Sequence, residues 1–274
     1  MSRGLLHRAS GRIAREGLLA CKSVVQRMRA GVGTTPAKQV SFVAGVQRSG
    51  TNMMMDVLER SLVTDVYHEG DPRAFDGYEL RSPEVIRKLI ERSPAGHVVI
   101  KALCELQDLS QLLEYFAPAK VLWVLRDYAD TVNSHIALWR KMPYCIGEIV
   151  KDRQGAAGWR GRGMSDATHE LVSRLYTSDI SNASACALFW YFRNVLFFEQ
   201  GFDRDERVLL VRYDSLVTNR REQFERTFRF LGLPYSPWAH RKVVSSSVRK
   251  RPAPDLAVEI EAVCRDLARR FEVV

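Results

Sequence analysis

The chain has 274 residues, of which 46% are hydrophobic and 27% charged, enough to bury a full core without disulfides or metals. That composition excludes a collagen-like chain, bulk disorder and a small disulfide scaffold. The net charge of +9 invites a nucleic-acid reading, but residues 1–38 carry +7 of it, leaving +2 on the other 236.

Residues 1–38 form a basic tail. Arg3, Arg8, Arg12, Arg15, Lys22, Arg27, Arg29 and Lys38 face one acid, Glu16, and interleave with Leu5, Leu6, Ile13, Leu18, Leu19, Val24, Val25 and Met28. This pattern predicts a short amphipathic helix, with Gly31-Val32-Gly33-Thr34-Thr35-Pro36 as a linker. A solvated, loosely docked helix is the plainest reading. A basic membrane-surface helix with weak membrane contact and an Arg-rich transit peptide are the functional alternatives. No apolar run approaches the ~20 residues that cross a bilayer. Five scattered cysteines without a CxxC point to a reducing compartment. The expectation is a cytoplasmic protein, peripheral at a membrane if the tail binds one, with no nucleic-acid partner.

The body, residues 39–274, alternates strand and helix. Ser41 to Val46 is a short buried strand, followed by a turn and a helix over 52–61. A second strand is predicted over 97–101, a helix over 106–116, a third strand over 120–126 and a helix over 127–139. Residues 142–165, rich in Gly, Arg and Lys, read as a mobile lid. Two helices follow over 166–201, and the aromatic run of the second (Phe189, Trp190, Tyr191, Phe192, Phe197, Phe198) reads as core packing. A fourth strand covers 207–213, and the next helix ends near Leu231-Gly232. The expected fold is α/β, three layers around a parallel central sheet.

Two clusters carry chemistry. Gly45-Val46-Gln47-Arg48-Ser49-Gly50-Thr51-Asn52 lies between strand and helix and has the GxxxxG spacing of a phosphate loop. Its amides and the helix start would face an anion. The triphosphatase version continues with Lys and Ser/Thr for phosphate and Mg²⁺. Here those positions are Thr51 and Asn52, and the cation sits inside the loop at Arg48. That favours a donor handled without metal. At the end of the third strand, Arg126 and Ser134 stand eight residues apart, where open α/β sheets bind ligands, and can converge on a further phosphate. The alternative is Arg126 paired with Asp127 or Asp130.

Four separated pieces in order make the chain resemble a sulfotransferase using 3′-phosphoadenosine 5′-phosphosulfate (PAPS), over roughly residues 40–250. They are the loop 42–52, the segment Leu125-Arg126-Asp127 through Ser134-His135, Arg212-Tyr213-Asp214-Ser215-Leu216, and Phe230-Leu231-Gly232-Leu233-Pro234. The resemblance implies a P-loop-like fold. It implies that Arg48, Ser49, Gly50, Thr51 and Asn52 hold the 5′-phosphosulfate, Arg126 and Ser134 the 3′-phosphate, and that Tyr213 lies near the adenine. Ser247, Arg249 and Lys250 would close the nucleotide site. The product would be 3′-phosphoadenosine 5′-phosphate (PAP), and no metal is expected. Arg48, the loop amides and Lys101 would stabilise the leaving phosphate. The histidine that cytosolic members place two residues after this lysine is missing, since Leu103 stands there. Golgi-type members use a glutamate after the first helix, which makes Glu69 the expected base, His68 the runner-up and Arg73 a group that steadies acceptor or base. Loops 142–165 and 67–81 would shape the site of the hydroxylated acceptor, a glycan or small metabolite. The rival readings are a small-molecule kinase using Mg-ATP, from the shared GxxxxG, and a non-enzymatic protein binding membrane or nucleic acid through its tail.

Overall fold

The structure, a computed structural model, describes residues 17, 20, 22, 24–28, 38–155, 157–245 and 248–274. Five strands form one parallel sheet: β1 (Gln39–Ala44), β2 (Thr64–Tyr67), then, past a hairpin of β3 (Phe75–Asp76) and β4 (Glu79–Leu80), β5 (His97–Ala102), β6 (Ala119–Leu125) and β7 (Val208–Arg212). Their spatial order is β2-β5-β1-β6-β7. After β1 the chain runs to one edge of the sheet, and after β6 to the other. The loops leaving these adjacent strands therefore part at their carboxyl ends, the switch point where such sheets bind ligands.

The sheet is covered on both faces, and its residues alternate between them with period two. Val43, Val99, Leu122, Val124 and Val211 pack on one side, against α1 (Thr51–Glu59) and residues of two later helices, α8 (Tyr213–Thr218) and α9 (Arg220–Leu231). Phe42, Ile100, Val121 and Trp123 pack on the other, among residues of α2 (Pro83–Arg92), α3 (Leu109–Tyr115), α4 (Tyr128–Ile136), α5 (Met142–Lys151), α6 (Asp166–Leu175), α7 (Asn182–Glu199) and α10 (Val258–Glu272). The aromatic run in α7 is core: Phe189, Trp190, Phe192 and Phe197 are buried. Inside it sits Arg193, fully buried, whose guanidinium donates to Gln107 Oε1 (3.1 Å), Leu103 O (3.2 Å) and Cys104 O (3.4 Å). Burial pulls its pKa down to about 10.

Three expectations change. β2 is a strand where the sequence predicts no element, because Thr-Asp-Val-Tyr offers too short an apolar pattern. Residues 142–165 are not one lid: α5 fills much of the segment, and Met142, Ile146 and Ile149 are buried at helical spacing. Gly147 hid that helix. It is present for space, since a Cβ there would lie 2.5 Å from the Tyr176 hydroxyl.

The tail is the third. Its described residues are helical, but not loosely docked. Lys22 and Gln26 are buried. Lys22 Nζ donates to Glu59 O (2.7 Å), and Gln26 Nε2 to Leu62 O (3.1 Å) and Thr64 O (2.8 Å). Burial brings the Lys22 ammonium down to about 8. Val24, Arg27 and Met28 stay exposed. Among the described residues no helix is long and apolar enough to cross a membrane. The linker lies outside the described residues.

Candidate active site

The carboxyl ends of β1, β5, β6 and β7 border a cleft of about 800 Å³. The loop after β1 bends through two left-handed residues, Arg48 (φ 71°) and Gly50 (φ 104°). Gly50 is required twice over: its φ disfavours a side chain, and a Cβ would land 2.2 Å from Tyr213 Cδ2. Tyr213, at the end of β7, thus packs directly on the loop. Arg48 Nε donates to Ser134 Oγ at 2.9 Å. Arg126, just past β6, donates to Arg48 O at 3.3 Å and lies 4.8 Å from the Tyr213 ring. The arginine and serine eight residues apart are therefore brought to the loop, as their positions at strand end and first helical turns require.

Of the two acids beside Arg126, Asp127 caps α4 by accepting from Asp130 N (3.0 Å). Asp130 is the ion partner, 3.6 Å from the guanidinium, and its other contact is the Arg249 amide at 2.9 Å. That amide ties Arg249 to α4, and the next two residues, Lys250 and Arg251, line the cleft. Ser247 lies outside the described residues.

On the far wall, Lys101 at the end of β5 is buried and meets both Glu69 and Asn52 Oδ1. Burial lowers its pKa and the Glu69 carboxylate opposes that shift. Glu69, Asn52 and Thr51 line the cleft. His68 faces away: its Nε2 lies 3.6 Å from Glu59 Oε1, and it is not part of the cleft wall. Arg73 is held by a two-pronged bond to Asp71 (2.9 and 2.6 Å). His135 is structural: buried, pulled down to about 4 by desolvation, and bonded to Gln47 O at 2.7 Å.

The lining carries five cations (Arg48, Lys101, Arg126, Lys250, Arg251) and two carboxylates, Glu69 and Asp130, both paired. Such a cleft suits a ligand with more than one phosphate. One polar atom of the loop, the Ser49 Oγ, is buried with no hydrogen-bond partner among the described residues. Its hydroxyl is thus a donor of the kind an oxyanion satisfies.

Sequence reasoning missed Tyr78, Leu138 and Trp139 in this wall. Tyr78 had a signal: Asp76-Gly77 is a hairpin dipeptide, and Gly77 (φ 57°) and Tyr78 (φ 73°) turn β3 into β4. The hairpin is pinned by buried Glu105, whose carboxylate accepts from Leu80 N at 2.6 Å and whose pKa burial pushes up to about 7. Leu138 and Trp139 had none.

Comparison with known proteins gives the family and the fold. The sulfotransferase domain family matches residues 38–251. The sulfotransferase domain from the curacin biosynthetic pathway has the same fold, with a TM-score of 0.52 at 13% identity, over 84% of this chain and 98% of that one. A sulfotransferase from Alicyclobacillus acidocaldarius gives 0.49 at 14% identity over 85% and 94%. Mouse sulfotransferase SULT7A1, complexed with PAP, gives 0.43 at 16% over 81% and 69%. No curated protein sequence matches the chain. With the family's domain spanning the loop, the arginine–serine segment and the closing strand end, the chain belongs to the sulfotransferase family.

Proposed function

We propose that the chain moves the sulfuryl group of PAPS to an acceptor hydroxyl by in-line transfer, with its own cations taking the place that Mg²⁺ has in phosphoryl transfer. The observation that carries this reading is one cleft that joins the Arg48–Ser134–Arg126 cluster to the buried Lys101–Glu69 pair. PAPS supplies an activated sulfuryl whose leaving group is a phosphate. Arg126 and Ser134 grip the 3′-phosphate, and Arg48 with the amides of 48–52 faces the 5′ end. Lys101 stabilises charge gathering on the leaving oxygen. One Glu69 oxygen meets Lys101, which leaves the other to take the hydroxyl proton. One S–O bond to phosphate breaks, one S–O bond to the acceptor forms, and the products are a sulfate ester and PAP. The 3′-phosphate grip selects this donor over ATP, which has no 3′-phosphate to accept from Arg126 and Ser134.

The test is a thermal shift with PAP against ATP and magnesium, in wild type and Arg126→Ala. Ligand at about 1,000 times its Kd stabilises by about 4 kcal/mol, several degrees in Tm. A PAP shift that Arg126→Ala abolishes supports the reading. A shift with magnesium-ATP alone replaces it by the kinase.

A further inference from the structure

A second cavity of about 480 Å³ adjoins the cleft, and Leu138 and Trp139 are walls of both. Beyond them it is lined by Met142, Tyr144, Cys145 and Ala157. This volume is typical of a small-molecule site, and walls of this kind bury apolar ligand surface. Leu138 is 57% and Tyr144 68% exposed, a large apolar surface for one short stretch of chain. The wall is built rather than incidental. Trp139 stacks on His135, centroids 4.4 Å apart and planes within 20°. Asn182 Nδ2 donates to Trp139 O (2.8 Å) and Asn182 Oδ1 accepts from Met142 N (3.3 Å).

The cavity's charges are one-sided. Arg140, Lys141 and Arg160 border it against one carboxylate, Glu148, which Lys151 already engages at 2.9 Å. The Arg140 and Lys141 side chains have no ion pair or hydrogen bond among the described residues. Arg160 donates only to Ala157 O (3.3 Å) and stacks 4.8 Å from Trp159. Leu138, Trp139, Met142 and Ala157 give the cavity an apolar surface beside these charged groups, the pairing that suits a ligand with an apolar body and an anionic end.

We propose that the acceptor is an anionic amphiphile: a hydroxyl presented at Glu69, an apolar body in the second cavity, and an anionic group such as a carboxylate at Arg140 and Lys141. This inference rests on the sulfuryl-transfer reading of the same cleft, and the transferred group and proton go as balanced there. It departs from the polar acceptor that loops 142–165 and 67–81 suggest in sequence.

The test is calorimetric titration of the full chain, first with PAP, then, saturated with PAP, with 10-hydroxydecanoate, 1,10-decanediol and N-acetylglucosamine. The expected result is that 10-hydroxydecanoate binds about 10-fold more tightly than the diol, the size of one charge-assisted contact, and that the sugar gives no heat. Arg140→Glu removes the preference for the acid, and Ala157→Trp, which fills the cavity, weakens the acid at least about 10-fold. Both variants keep the wild-type affinity for PAP, which also shows that they fold. PAP binding with no preference for the acid over the sugar overturns the inference alone, as do both variants binding the acid like wild type. No binding of PAP overturns the donor reading, and this inference with it.

Discussion

The two halves of the cleft are made from different materials. The half proposed for the donor is built on backbone: a loop with two left-handed residues, fixed by Tyr213 against Gly50 and by neutral His135 on the Gln47 carbonyl, on which the side chains of Arg48, Arg126 and Ser134 converge. The half proposed for the acceptor is side chain: Glu69, held by Lys101 at the border of the two halves, Tyr78 on a two-residue turn, Leu138 and Trp139 shared with the second cavity. A backbone cradle tolerates few sequences because its conformation is its chemistry. A wall of side chains can be re-cut residue by residue without moving the sheet beneath it. On the proposed function, the difference teaches that a fixed donor and a variable acceptor call for different building material.

The largest separation of the halves comes from Glu69→Gln. Loss of a general base should lower kcat about 10²- to 10⁴-fold, with the PAP-induced thermal shift intact; a lost shift would mean that the halves are not separable. Gly50→Ala does the reverse. A left-handed Cβ driven into Tyr213 should cost about 3 kcal/mol, read as a fall in Tm of roughly 10 °C together with lost PAP binding.

Protons sharpen the contrast, because the halves respond with opposite sign. His135 has its folded pKa lowered from 6.5 to about 4, so between those values the unfolded chain binds more protons. Its neutral state stabilises the fold above pH 6.5, and that stability is lost as pH falls toward 4, by about 3 kcal/mol in full. Glu105 has its folded pKa raised from 4.5 to about 7. Its contribution is complete below pH 4.5 and is lost as pH rises through 7, by a similar amount of about 3 kcal/mol. Denaturant titrations from pH 4 to 8 should show His135→Phe flattening the acid limb and Glu105→Gln the neutral one. Identical profiles in both variants would break the comparison. The smallest effect lies outside both halves: Gln26→Ala should cost about 1–2 kcal/mol in chemical denaturation, from the buried Thr64 carbonyl and the part-buried Leu62 carbonyl losing a donor.

The same division explains what could be read from sequence. A phosphate cradle must be contiguous, so residues 45–52 announce it, and Arg126 and Ser134 follow because a strand end and the next helix fix their spacing. Arg249 and Lys250 are expected only from the family resemblance, since no spacing ties them to a strand end. Lys101 was legible as the last residue of a buried strand. Sequence ranks Glu69 ahead of His68 only through the family resemblance: which of two neighbours faces the cleft depends on β2, whose four residues carry too little pattern. Leu138 and Trp139 look like any apolar pair beyond a helix, and their role appears only when α7 supplies Asn182 to staple them. Arg193 could not be foreseen, since a lone cation in an aromatic run reads as solvent-facing. Lys22 and Gln26 were hidden in a basic segment whose other cations gave no reason to single them out.

The contacts of Gln26 also bear on how the protein stays dispersed. β2 is an outer strand of the sheet, paired on one side only, and such a margin is a template for strands of other chains. The helical segment carrying Lys22 and Gln26 sits at the start of that strand and takes the carbonyls of Leu62 and Thr64. A chain beginning at residue 38 should therefore fold its sheet and cleft yet self-associate as its concentration rises, visible as a growing hydrodynamic radius in light scattering. The basic leader would then be a built-in guard against aggregation.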